Sequence, residues 1–144
     1  MEWKNYVETR EAELAAARER GPAHVVDLQW RRLREQAVEA DYTSFLDLLD
    51  AAASEPRLRQ LFPFTSMWVL CFSSDTDKPS LAEAPAVAAQ LDGRFQVLTD
   101  RWGDIISETN CAEEAVALVV AHLPERLGPA GTGTAGEQAP DNLR

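Results

Sequence analysis

The chain has 144 residues, 45% of them hydrophobic and 26% charged, which suits one domain with its own core and excludes a wholly disordered chain. Its formal charge is −10, and residues 41–144 alone carry 7 basic against 16 acidic side chains, a net −9. A field of that sign repels phosphate backbones and anionic lipid, so no nucleic-acid or membrane partner is expected and a basic partner is favoured, although the same charge also serves plain solubility.

Trp3, Tyr6, Val7, Leu14 and Ala17 trace a thin apolar stripe that predicts a first helix ending at Gly21-Pro22. Its place, on its own domain or on a second subunit, is open, as is the oligomeric state. Val26, Trp30, Leu33 and Ala37 recur at helical steps and predict a second helix, able to form a hairpin with the first. Tyr42, Phe45, Leu46, Leu49, Ala52 and Ala53 predict a third, with Asp41 as its cap. Pro56 then restarts the chain, and Leu58, Leu61 and Phe62 predict a short helix before Pro63.

From Thr65 to Ser73 the residues form an apolar run rich in strand formers, read as one central strand buried on both faces. A polar loop follows from Ser74 to Pro85. Val87–Leu91 and Arg94–Leu98 predict two strands joined at Asp92-Gly93 by a two-residue hairpin, and Asp104–Glu108 predicts an edge strand. Asn110 and Glu113 resemble a capping box before a last helix with Ala112, Val116, Val119, Val120 and Leu123 on one face. The expected fold is α+β: N-terminal helices, a mostly antiparallel sheet of about four strands, and a C-terminal helix packed on it. One domain is expected over residues 1–126, with 127–144 a disordered tail, because Gly, Pro and polar residues dominate that stretch.

No Gly-x-Ser-x-Gly, phosphate-binding Gly loop or His-Glu-x-x-His occurs, and His24 and His122 are the chain's two histidines. No metal and no cofactor is expected. Asp75 and Asp77, two residues apart in a loop, are the nearest approach to an acid/base or cation-binding pair, though turns recruit the same residues. Arg57, Arg59 and Phe64 place guanidinium groups beside aromatic rings just before the central strand, a surface suited to carboxylates unless the chain's own acids occupy it. Trp68 and Trp102 complete the candidate binding set. Cys71 and Cys111 lie in unlike contexts and suggest no disulfide framework. The N-terminus lacks an export signal, so a cytoplasmic location is expected.

The run Glu55-Pro-Arg-Leu-Arg-Gln-Leu-Phe-Pro-Phe-Thr-Ser-Met-Trp68, with Asp92-Gly-Arg-Phe95, Glu113-Glu-Ala-Val-Ala-Leu-Val-Val120, Leu123-Pro124, Gly128-Pro-Ala and Gly133-Thr134, resembles an uncharacterised actinobacterial family known as "natural product biosynthesis protein". The similarity covers roughly residues 35–135. Members carry His before Phe-Ser and Arg-Cys after it, where this chain reads Cys71-Phe72-Ser73-Ser74-Asp75. The resemblance implies an accessory protein of specialised metabolism that binds a pathway enzyme, carrier, precursor peptide or metabolite. It supplies no catalytic residue. The alternatives are a small cofactor-independent cyclase or isomerase and an acidic inhibitor or immunity protein. Whether the chain is an enzyme at all stays open.

Overall fold

A computed structural model describes residues 2–76, 84–99, 103–125 and 127–131, with side chains from Val7 onward. Helices α1 (Glu2–Arg20) and α2 (Pro22–Glu39) are separated by Gly21 alone, whose φ of 123° admits only glycine comfortably. Leu14 and Ala17 of α1 meet Val25 and Leu28 of α2, and Arg10–Glu35 and Arg32–Glu13 ion pairs flank that seam. The other face of α2 carries Val26, Trp30, Leu33 and Ala37, all buried, into the main core. Helix α3 (Thr43–Ala53) adds Phe45, Leu48, Leu49 and Ala52. A single turn, α4 (Pro56–Arg59), leads into the sheet.

Among the described residues the sheet is an antiparallel meander of five strands in the order β1-β2-β3-β4-β5: Phe62–Ser66, Val69–Ser73, Ala86–Ala89, Phe95–Leu98 and Ile105–Thr109. Cross-strand partners share a face, so Leu70 and Phe72, with Val87, Ala89, Phe95 and Val97, present one surface to the helices. Helix α5 (Ala112–Ala121) packs on that surface through Ala115, Val116 and Val119. Cys71 and Ala86 point to the opposite face and are also buried.

The expected α+β class holds, with corrections. The run from Thr65 to Ser73 is two strands, not one: Ser66 pairs with Val69, and Met67 and Trp68 form a two-residue turn at φ 54° and 65°. Among the described residues the sheet therefore has five strands, against the about four expected. The Asp92-Gly93 hairpin is not a two-residue turn. The Gly93 amide donates to the Gln90 carbonyl (3.1 Å), and only Gly93 takes positive φ, at 91°, the pattern of a turn followed by a glycine bulge. Neither predicted cap forms: Tyr42, not Asp41, precedes α3, and Cys111, not Asn110, precedes α5, both without a side-chain cap hydrogen bond. Asp41 instead sits at φ 57°, a conformation Asp tolerates, to turn α2 into α3.

Packing also continues beyond the expected domain end at 126. Ala130 is buried, its amide donating to the Gln60 carbonyl (2.9 Å). Gly131 bridges Asp75, donating to the Ser74 carbonyl and accepting from the Thr76 amide. Residues 127–131 thus close against the end of β2, where a tail was expected.

Candidate functional site

The sequence-predicted residues that the structure describes do not converge. The Arg57 guanidinium donates to the Pro124 carbonyl (3.1 Å), tying α4 to the end of α5. Arg59 pairs with Asp27 (2.9 Å) and lies 5.6 Å from the centre of the Trp30 ring. The indole N–H of Trp30 in turn donates to the carbonyls of Arg59 (3.0 Å) and Leu61 (3.2 Å). Both arginines thus have partners within the fold, and Arg59 also borders a cavity of about 500 Å3 with Pro129 and Ala130. Phe64 lies opposite Cys71, on the sheet face away from the helices. Asp75 bridges Gly131 through its backbone, and its amide donates to Ser73 Oγ (3.0 Å). Asp77 and Trp102 lie outside the described residues.

Among the described candidates, Trp68 alone leads to a candidate surface. Its ring centroid lies 5.0 Å from those of both Tyr42 and Phe45, edge-on to Phe45, so α3 holds the tip of the β1–β2 hairpin. Tyr42 is fixed in turn by its hydroxyl, which donates to the Ala89 carbonyl (2.6 Å), and burial raises its pKa. Ser44 Oγ donates to the Gln90 carbonyl (3.0 Å), clasping the β3–β4 hairpin to the same end of α3. With Trp68 turned inward, Met67 at the other turn position faces outward and is 80% exposed.

Because Val69 pairs with Ala88, the tips of the β1–β2 and β3–β4 hairpins stand at one end of the sheet. Leu91, 89% exposed, crowns the second tip. Val38, 54% exposed, sits at the end of α2, where the Asp41 amide donates to its carbonyl in the turn leading to Tyr42. Of the four large apolar side chains found exposed among the described residues, Met67 and Leu91 therefore stand at this end; Val38 lines a separate cavity with Arg10, Arg31 and Arg34, and Ile105 begins β5 at the far end.

A cleft of about 740 Å3 adjoins this end, between α3, the Leu91–Gly93 tip and the start of α5. Four carboxylates line it, Asp47, Asp50, Asp92 and Glu113, and no basic side chain among the described residues does. Asp50 pairs with Arg34 (3.0 Å) outside the cleft. Asp92 accepts from the Arg94 amide (3.0 Å) and pairs with its guanidinium, which together hold its carboxyl below the usual range. Asp47 and Glu113 have no ion-pair partner among the described residues. Cys111, half-buried, lies on the wall, its carbonyl accepting from Thr109 Oγ1 (3.0 Å). Sequence reasoning missed this surface. No local pattern signals it, because Met67 and Trp68 continue the apolar run without a turn-forming residue.

Among the described residues no helix is long and apolar enough to cross a membrane, and no group of three or more His, Cys, Asp or Glu is arranged to hold a metal ion. No curated protein and no solved structure gives a significant match to the chain. Residues 24–134 match the model of a family described as "Family of unknown function (DUF6193)", and the chain belongs to that family.

Proposed function

We propose that this chain is a binding protein, an accessory factor of specialised metabolism that engages a pathway enzyme, carrier or precursor, and that its working surface is the hairpin end of the sheet. The observation that carries this reading is the Met67–Trp68 turn. Two-residue hairpin turns with positive φ at both positions favour Asn and Gly, and bulky side chains there cost conformational energy. Strain of this kind persists where surrounding structure enforces it, and it clusters at functional positions. Here Tyr42 and Phe45 enforce it through Trp68, and the product is an outward-facing Met67 at the same end of the sheet as Leu91. Met suits a recognition surface because its unbranched, polarizable side chain adapts to a partner.

A catalytic reading has less support. The described residues with buried polar side chains are Ser73, Thr76 and Thr109, none of them an acid or base near neutral pH. The inhibitor reading shares the acidic cleft and differs only in what the partner does once bound. An affinity pull-down from the cells that make the protein, followed by mass spectrometry, tests the proposal: stoichiometric recovery of one protein supports it. Recovery of a small molecule that the purified chain then converts contradicts it.

A further inference from the structure

The four cleft carboxylates, the absence of a described basic lining residue and the apolar tips beside them together specify a partner chemistry. We infer, building on the binding role proposed above, that this end docks a basic amphipathic segment of a partner protein. Its large apolar side chains cover Met67 and Leu91, and its Lys or Arg side chains enter the cleft toward Asp47 and Glu113. Leu91 joins the two halves, being both an exposed apolar tip and part of the cleft wall. Thr43 and Ser44, at the start of α3, line the same cleft one and two residues after the Tyr42 that holds Trp68.

Charge decides between occupants. A second copy docked through the same end would bring Asp47 and Glu113, which have no ion-pair partner among the described residues, against their own kind, and like charges at close range across an interface disfavour association. Anionic lipid and nucleic acid are repelled for the same reason. A basic segment alone would be held only by screened surface attraction, so the apolar contacts must supply the part of the affinity that survives salt.

The test pans a random peptide library against the immobilised full-length chain. Enriched peptides are then synthesised and titrated by fluorescence polarisation against wild type and variants. We expect a consensus with excess Lys or Arg and at least two large apolar residues. Met67→Ser, Leu91→Ser and the pair Asp47→Asn/Glu113→Gln should each weaken binding by about tenfold, in the range of interface hot spots. Ile105→Ser, at the far end, should leave it unchanged. All the substituted side chains are exposed, and unaltered circular dichroism establishes that the variants fold. No enrichment, a consensus without basic excess, or affinities unmoved by the tip and cleft variants would each overturn the inference.

A pull-down from source cells with wild type and the Met67→Ser/Leu91→Ser double variant separates this inference from the broader binding role. A partner retained equally by both overturns the docking site and leaves the binding role standing. Recovery of no protein partner overturns both.

Discussion

Replacing Met67 with Asn should make the protein more stable and less able to bind. Met67 occupies the first position of a two-residue hairpin turn at φ 54°, where an L-residue without local hydrogen bonding costs about 1–2 kcal/mol. Asn is among the residues such turns favour, so roughly 0.5–1 kcal/mol of that cost should be recovered. Little is lost in exchange, because the side chain is 80% exposed and contributes little buried area. For a domain of this size the gain corresponds to a rise in Tm of about 2–5 °C. Thermal and urea unfolding followed by circular dichroism would measure it, with Trp68→Gly as the companion. That second change relieves similar strain but deletes the ring packed 5.0 Å from Tyr42 and Phe45. Losing a half-buried indole costs about 2–3 kcal/mol, so a net loss of about 1–2 kcal/mol is expected. If Met67→Asn leaves stability unchanged or lowers it, the turn is not strained and the case for a function stored there fails.

Other expectations follow from the contacts of the remaining residues. Trp30→Phe should destabilise the fold by about 2–3 kcal/mol in urea unfolding, because it strips the carbonyls of Arg59 and Leu61 of their buried donor. Arg57→Ala and Arg59→Ala should each cost about 1 kcal/mol, through the Pro124 carbonyl and the partly exposed Asp27 pair respectively, without altering partner affinity. Asp92, its carboxyl held low first by the Arg94 amide and then by the Arg94 side chain, should titrate below the usual carboxylate range in NMR. The stability it adds is present at neutral pH and is lost as pH falls through that lowered value, so Asp92→Asn should shallow the acid limb of the stability profile. Tyr42 carries the opposite sign. Burial favours its neutral form, so its contribution is present at neutral pH and is lost as pH rises through the raised value, an alkaline loss that Tyr42→Phe should abolish.

The helical half of the fold was legible because it rests on period alone. Val26, Trp30, Leu33 and Ala37 recur at helical steps, and all four are buried where that spacing puts them. Phe45, Leu49 and Ala52 repeat the lesson in α3. The sheet was harder to read, because turn detection relies on Gly, Asn and Pro, and the β1–β2 turn uses none of them. Its positive φ values are held by the aromatic contacts of Trp68 with residues more than twenty positions away, a tertiary cause that no local pattern displays. Arg57 and Arg59 beside aromatic rings read as a binding surface, yet their guanidinium groups find Pro124 and Asp27 within the fold. The candidate surface was illegible for a related reason. Met67, Leu91 and Glu113 come from three separate segments and are brought to one end only when α3 clasps both hairpins, through Trp68 on one side and Ser44 on the other. Ala130 and Gly131 show the converse: composition suggested a tail from 127, but hydrogen bonds to Gln60, Ser74 and Thr76 hold that segment.

The most direct test of the docking end is site-specific photo-crosslinking in the cells that make the protein. A photoreactive residue is placed at Met67 in one strain and at Ile105 in another, and the adducts are identified by mass spectrometry. One protein adduct is expected at position 67, through a basic amphipathic segment, and none of that protein at position 105. An adduct to the same protein from position 105 but not from position 67 would contradict docking at this end.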